Sequence, residues 1–180
     1  MHETGLQAPE EDYLALVPWI DALAEHFVDA RFVACVRHPQ EAVPSQVNAM
    51  LIGARLFSAR VRVHWWREGL TNMLAHYGDV LMQAQQSLPK TRMQVIDMRT
   101  LSSSPQDVVI GLHRHFGWPL SAEYRQRLTE HDRRARQYRS GHHYNSEALG
   151  IHQQDIERQF ARFIDHFHLS ASTTHRLQSN

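Results

Sequence analysis

The chain has 180 residues, of which 42% are hydrophobic, and its formal charge at neutral pH is zero with 14 histidines counted as neutral. This length and apolar content predict one domain with a real core, and nothing in the composition indicates disorder. Zero net charge gives no reason to expect a nucleic acid or an anionic membrane as partner, and no apolar run is long enough for a membrane span. The first twenty residues lack the pattern of a secretory signal, so a cytoplasmic location is expected.

The cysteine and the cationic residues indicate which kinds of bond and ligand to expect. A single cysteine, Cys35, excludes an internal disulfide, and we expect it to pack inside a strand as a small hydrophobe. Lys90 is the one lysine among 19 cationic side chains, and the rest are arginines. Arginine suits bidentate binding of anions, although the same bias is typical of a GC-rich genome.

Apolar periodicity predicts the elements of the first half in chain order. Residues 10–28 carry one apolar stripe at helical spacing, with Pro18 as an alternative start of that helix. A strand over 31–36 is followed by a helix over about 40–57, a long amphipathic helix over 62–87 and a second strand over 93–98. This order predicts a right-handed parallel crossover. Gly69 and Gly78 inside the long helix indicate a kink or close packing.

The second half is predicted to be helical, with one polar loop. Ser104 is placed to cap a helix that begins at Pro105, and Gly117 is placed to end it in the left-handed conformation. After it we expect a helix over 121–132, a loop rich in arginine and histidine over 133–150, a terminal helix over 152–168 and a frayed tail over 170–180. No linker divides the chain, so residues 1–180 are predicted to form a single domain.

The segment from Arg31 to Ser45 carries the strongest functional signal, because it joins a buried strand to a polar turn and a helix start. Ligands of open α/β sheets gather outside the carboxyl ends of the strands, and an arginine at that position can hold a phosphate bidentately. Arg37 stands at that end, and Ser45 lies about two turns into the next helix. The alternative is that Arg37 pairs with Glu41, one helical turn later. Arg37 and Ser45 are therefore candidate ligands of an anion.

Metal and hydrolase chemistry receive no such support. His113 and His115 fall on different faces of a predicted helix, and the sequence holds no H-E-x-x-H motif for zinc and no G-x-S-x-G motif of a serine hydrolase. We expect no metal site.

The spacing of Arg37, Pro39 and Ser45 resembles the 3′-phosphate-binding element of sulfotransferases that use 3′-phosphoadenosine 5′-phosphosulfate (PAPS). Two later stretches, over 88–121 and 138–151, are similar to the same family in the same order. The resemblance covers roughly residues 18–168 and is strongest to the broad bacterial-type sulfotransferases. It implies a P-loop-type sulfotransferase fold of the α/β class, truncated and mostly helical, with a small parallel sheet formed by strands near 31–36 and 93–98.

The resemblance also implies a donor site. Arg37 and Ser45 would bind the 3′-phosphate of PAPS, and Arg139, Ser140 and Gly141 would form a basic loop that closes over this phosphate and the adenine. A glycine lets the backbone approach an anion, and a guanidinium supplies a fork of donors. The alternative, a solvated turn within an arginine cluster, stays open for this loop. The acceptor would carry a hydroxyl or an amine, and its class is not indicated.

One half of the family's donor site has no counterpart in the sequence. In the family, a lysine and hydroxyl groups of an upstream phosphate-binding loop grip the 5′-phosphosulfate, whereas Lys90 is expected in a surface turn. We therefore expect a partial sulfotransferase domain that holds the 3′ end of the donor, has no assigned catalytic residue and is weakly active or inactive alone. The alternative is a non-catalytic nucleotide-binding or interaction module derived from a sulfotransferase.

The small sheet has a physical consequence of its own. Two strands cannot form a sheet that helices cover on both faces, so an exposed strand edge or an apolar patch is expected. Such a surface favours self-association.

Overall fold

The computed structural model describes residues 16–58, 60–135, 146 and 148–170. Its elements, in chain order, are α1 (Ile20–His26), β1 (Phe32–Val36), α2 (Pro39–Phe57), α3 (Val63–Ser87), β2 (Met93–Asp97), α4 (Met98–Ser103), α5 (Pro105–Phe116), α6 (Ala122–Ala135), α7 (Gln153–Gln159) and α8 (Ala161–His166). The predicted architecture, mostly helical with two strands near the expected positions, is confirmed. The single-domain assignment stays a prediction, and most of the tail lies outside the described residues.

The two strands form a parallel pair whose ends coincide. Phe32 lies opposite Met93, and Val36 lies opposite Asp97. Because both strands run in the same direction and in register, the residues that follow Val36 and Asp97 emerge at the same edge of the sheet. The chain returns from β1 to β2 through α2 and α3, as the crossover prediction requires.

The inner face of the sheet packs against α1, α3 and Leu169, which follows α8. Its buried cluster consists of Ile20, Val36, Leu81, Ala84, Met93 and Leu169. Successive residues of a strand point to opposite faces, so Val33 and Cys35 lie on the other face, where both are exposed. The expectation that Cys35 packs inside the strand is therefore wrong. Partial burial of the thiol nevertheless raises the pKa of Cys35.

A second cluster lies between α2, α3 and α7 and contains the largest fully buried side chains of the described residues. Val43, Val47 and Leu51 are all but fully buried. They repeat every four residues on one face of α2 and pack against Leu70 of α3 and Ile156 of α7. This cluster anchors α2, the helix that begins at the carboxyl edge of the sheet.

Helix ends agree with the sequence at one position and differ at another. Gly117 ends α5 with φ 68°, in the left-handed conformation that was predicted. Ser104 makes no side-chain hydrogen bond as a cap of α5. Instead, Oδ1 of Asp132 on α6 accepts a long hydrogen bond from the Gln106 backbone N–H at 3.4 Å. A side chain from another helix thus replaces the local cap.

Two other elements depart from the expected boundaries. The predicted terminal helix is divided at Phe160 into α7 and α8. Of the two glycines inside α3, Gly78 is a close contact, because a Cβ there would lie 2.9 Å from the Phe163 ring. A Cβ on Gly69 would meet no atom within 4 Å, and nothing in the structure explains this glycine.

In the part of the chain that the structure describes, no helix combines the length and the apolar character needed to cross a bilayer. The cytoplasmic location stays a prediction.

Candidate functional site

The candidate site lies at the edge of the sheet where both strands end. Arg37 is the first residue after β1, and 45% of its side chain is exposed. Its Nε donates a hydrogen bond to Oε2 of Glu41 at 3.0 Å. The pairing considered as an alternative from the sequence is thus present. A partly exposed pair of this kind stabilises the fold by only a few tenths of a kcal/mol, so it is weak enough for a stronger anion to displace.

A second arginine reaches the same carboxylate from the other strand. Arg99 follows the end of β2 by two residues, and its Nη2 lies 3.0 Å from Oε1 of Glu41. Glu41 therefore receives one guanidinium on each oxygen. Arg99 was not predicted as a site residue. The predicted parallel pairing indicates that residues after both strands lie at one edge, but the register in which Val36 lies opposite Asp97 is needed to bring Arg99 to Glu41.

The backbone around Arg99 is fixed by Asp97, the last residue of β2. Oδ1 of Asp97 accepts a hydrogen bond from the Arg99 backbone N–H at 2.9 Å and so caps α4. A carboxylate in this position stabilises the start of a helix. Asp97 thus fixes the backbone of Arg99 in the first turn of α4, directly after the sheet.

Ser45 belongs to the same side of α2 as Glu41. The two residues are four apart, which places them on one face of the helix, whereas Val43 and Val47 lie about 200° from Ser45 around the axis. Because the buried valines hold the opposite face of α2, Glu41 and the half-buried Ser45 are turned away from the helical core. Ser45 therefore lies on the same face of α2 as Glu41, the residue that Arg37 binds.

His38 gives the start of α2 a neutral cap. Its side chain is buried, and Nδ1 accepts a hydrogen bond from the Gln40 backbone N–H at 3.3 Å. Burial lowers the pKa of His38, and the neighbouring Arg99 lowers it further. An imidazole that accepts at Nδ1 is neutral, so His38 orders the helix start and adds no positive charge to the site. This role of His38 was not predicted from the sequence.

The backbone of the helix start is itself occupied. The N–H groups of Glu41 and Ala42 donate to the His38 carbonyl at 2.9 and 3.0 Å. With Gln40 held by the His38 ring, the first N–H groups of α2 already have partners. Anion binding at this edge depends on side chains.

Arg139, Ser140 and Gly141, the candidate loop residues, lie outside the described residues. The structure does describe where the chain returns to α3. Gly150 has φ 66°, and its carbonyl accepts a hydrogen bond from Nη1 of Arg67 at 3.0 Å. A Cβ at this position would lie 2.5 Å from the same nitrogen, so a glycine fits here. Arg67 fixes the carboxyl end of the segment that contains the predicted loop.

The one lysine of the chain lies at the opposite edge of the sheet. Lys90 precedes β2, and its carbonyl lies 2.6 Å from Nε2 of His115. A strand of five residues spans about 16 Å, so the length of β2 separates the backbone of Lys90 from the edge where Arg37 and Arg99 lie. Lys90 is not placed to assist an anion held there.

The described residues contain no group of three or more His, Cys, Asp and Glu side chains arranged for a metal ion. His113 and His115 contact two different backbone carbonyls, those of Pro119 and Lys90.

Two open clefts lie on the described surface. One, of about 620 Å³, lies between the carboxyl-terminal half of α2 and the start of α3, where Phe57 and Trp65 line it. The other, of about 410 Å³, lies between β2 and α5 and extends to Asp97. Arg37 and Ser45 line neither of them, so the candidate anion site is an open edge.

Comparison with known proteins identifies the family. The chain matches the sulfotransferase family over residues 13–123, which is more than half of its length. The chain belongs to the sulfotransferase family. No curated protein sequence matches it.

A solved structure shows the same fold. The chain is similar to a crystal structure of a sulfotransferase from Mycobacterium avium, with a TM-score of 0.75 and 20% sequence identity. The match covers 87% of this chain and 41% of that one, so the chain spans about two fifths of the length of that sulfotransferase. The predicted family and the predicted P-loop-type sulfotransferase fold are confirmed, and the family suggests sulfuryl transfer in general.

Proposed function

We propose that this chain is part of a PAPS-dependent sulfotransferase and supplies the 3′-phosphate end of the donor site. The observation that supports this proposal is the position of Arg37, at the carboxyl edge of the parallel sheet of a sulfotransferase fold. A ligand is expected at that edge in open α/β sheets. Sulfotransferases generally take the sulfuryl group from PAPS, whose 3′-phosphate is the anion that this edge would hold.

The chemistry of the edge suits a phosphate. The guanidinium of Arg37 has N–H groups besides the Nε that binds Glu41, and a planar fork of donors matches two phosphate oxygens. The Ser45 hydroxyl, one turn beyond Glu41, can donate to a third oxygen. The loop residues Arg139, Ser140 and Gly141 would complete the pocket from above, which stays a prediction from the resemblance.

In the proposed reaction, the acceptor hydroxyl or amine attacks the sulfur of PAPS in line with the bond to the phosphate. The bond from acceptor to sulfur forms, the bond from sulfur to the phosphate oxygen breaks, and a base takes the acceptor proton, leaving adenosine 3′,5′-bisphosphate. The role of the described residues is to hold the donor by its 3′ end. Because Lys90 precedes β2, at the other edge of the sheet, we do not assign it to the 5′-phosphosulfate.

The proposal is tested by calorimetric titration with adenosine 3′,5′-bisphosphate. We expect the unmodified chain to bind it and Arg37→Ala to weaken binding by at least about tenfold, because a charge-assisted bidentate contact is lost. The matched control is Arg31→Ala, since Arg31 is an exposed arginine at the other end of β1 that donates to the Asp29 carbonyl at 2.6 Å. No binding by the unmodified chain, or equal losses in the two variants, would overturn the proposal.

A transfer assay separates the enzyme from the alternative of a non-catalytic module. The uncovered β1 face, with Val33 and Cys35 exposed, favours a chain that works together with further protein surface. We therefore expect the 180 residues alone to bind the bisphosphate and to transfer radiolabelled sulfate weakly or not at all. Rapid turnover by the isolated chain would contradict this part of the proposal.

A further inference from the structure

We propose that Arg99 is a second ligand of the donor's 3′-phosphate, and that Glu41 fills this phosphate site in the free protein as an internal anion. This inference rests on the proposed function and concerns the same edge of the sheet. It goes beyond the resemblance, which points to Arg37 and Ser45.

The geometry brings two cations to a single point. Nε of Arg37 and Nη2 of Arg99 each lie 3.0 Å from a different oxygen of Glu41. The two arginines come from different strands, and their backbones are fixed independently, by the end of β1 and by the Asp97 cap of α4. Because the strand ends coincide, both guanidiniums can reach the same anion.

A phosphate is a better partner for this pair than the carboxylate. Two guanidiniums around one carboxylate leave an excess of one positive charge, which a dianionic phosphate with three terminal oxygens would neutralise more fully. His38 accepts at Nδ1 and is neutral, whereas the carboxylates of Asp97 and Glu157 are close enough to raise the pKa of His38 and offset part of the positive charge at this edge. A phosphate is favoured over the Glu41 carboxylate because its three terminal oxygens can accept from both guanidiniums at once.

The site is also accessible to such a ligand. The exposed fractions of the side chains are 45% for Arg37, 33% for Arg99 and 24% for Glu41. Partly solvated ion pairs of this kind are weak and exchange their partners readily. A phosphate can enter, and the Glu41 side chain can rotate out from its position on the first turn of α2.

Glu41 could instead have a structural role, in which its ion pairs connect α2 to the two strand ends. In that role Glu41 holds the arginines in place, so Glu41→Gln would weaken phosphate binding. An internal anion competes with the ligand, so Glu41→Gln would strengthen it. The sign of the change in affinity separates the two roles.

The experiment is calorimetric titration of the full chain with adenosine 3′,5′-bisphosphate and, separately, with adenosine 5′-monophosphate, which lacks the 3′-phosphate. We expect Arg99→Gln to weaken binding of the bisphosphate about tenfold and to leave the monophosphate unchanged, because one charge-assisted contact to the 3′-phosphate is lost. Glu41→Gln is expected to strengthen binding of the bisphosphate several-fold. Arg99→Lys, which keeps the charge but loses the planar fork, is expected to fall between the unmodified chain and Arg99→Gln.

The matched controls are Arg127→Gln and Glu123→Gln. These residues form an exposed pair at 2.7 Å on α6, with the same four-residue spacing as Arg37 and Glu41, so both variants should bind like the unmodified chain. Unchanged affinity in Arg99→Gln, or weaker binding in Glu41→Gln, would overturn the inference. If Arg37→Ala still weakens binding in that case, the proposed function stands without it, whereas no binding by the unmodified chain overturns both.

Discussion

The helical side of the molecule and the outer face of the sheet differ in how completely their apolar side chains are buried. On the helical side, Val43, Val47 and Leu51 are 0, 0 and 1% exposed, against α3 and α7. On the outer face of the sheet, Val33 is 40% exposed, and Cys35 is exposed beside it. The helical side is therefore expected to supply more of the stability than the outer face of the sheet.

The buried helical side explains why residues at the solvent-exposed edge of the sheet have fixed positions. One face of α2 is fixed by the buried cluster, so Glu41 and Ser45 on the opposite face have set positions even though they are partly exposed. Arg37 and Arg99 are set by the ends of a register-matched strand pair. Rigid elements thus position flexible side chains.

The largest expected contrast is between neighbouring residues of α2. Leu51→Ala should lower the free energy of unfolding by about 2–5 kcal/mol, because it leaves a cavity in the helical cluster. Ile52, which is 56% exposed, is the matched control, and Ile52→Ala should change the value by less than about 0.5 kcal/mol. Urea unfolding followed by circular dichroism measures both. Equal losses would mean that the helical side is not the main source of stability.

A second contrast uses the two glycines of α3. Gly78→Ala should cost about 1–3 kcal/mol, since the added methyl group meets the Phe163 ring in a packed interface. Gly69→Ala should instead raise stability by up to about 1 kcal/mol, because alanine is the better helix former and the space is open. Changes of the same sign in thermal unfolding would show that α3 and α8 do not pack as described.

His38 should make stability depend on pH. Its pKa is lowered from 6.5 in the folded chain, so the unfolded chain takes up the proton more readily. The free energy of unfolding should therefore be greatest above about pH 6.5, fall as the pH drops through that value, and level off below the folded pKa. His38→Asn keeps a helix cap without a titrating group and should lose this part of the pH dependence. Unfolding curves that change with pH in the same way for both proteins would contradict the role of His38.

The smallest effect on stability is expected on the outer face of the sheet. Val33→Lys should change the free energy of unfolding by less than about 0.5 kcal/mol. We propose that this face mediates self-association, so the same variant should lower the sedimentation-derived mass at high concentration. Leu56→Lys, at an exposed position near the end of α2, is the control and should not alter it. If the unmodified chain is a monomer at all concentrations, the proposal of self-association is wrong.

The sequence predicted the elements whose signals are local. The strands, α2, α3 and the Gly117 end of α5 follow from periodicity and from glycine's access to the left-handed region. The cap of α5 could not be predicted this way, because Asp132 lies 26 residues from Gln106 and is placed by tertiary packing. The prediction that Cys35 is packed was wrong for a related reason. A β-branched run indicates a strand, but it does not indicate whether other elements cover both faces of that strand.

For the candidate site, the sequence predicted where two residues lie in the fold: Arg37 directly follows β1, and Ser45 lies within α2. Their role as anion ligands stays a prediction. The Glu41 contact of Arg99 joins residues 58 apart, so it needed the register of two strands. The loop with Arg139, Ser140 and Gly141 stays a prediction.

The central claim is that the carboxyl edge of this sheet recognises a 3′-phosphate. The most direct measurement compares the affinities of the unmodified chain for adenosine 3′,5′-bisphosphate and adenosine 5′-monophosphate under identical salt conditions. We predict that the bisphosphate binds at least about tenfold more tightly, since only it carries the 3′-phosphate that the guanidiniums at this edge are proposed to hold. Equal affinity for the two nucleotides would contradict the claim.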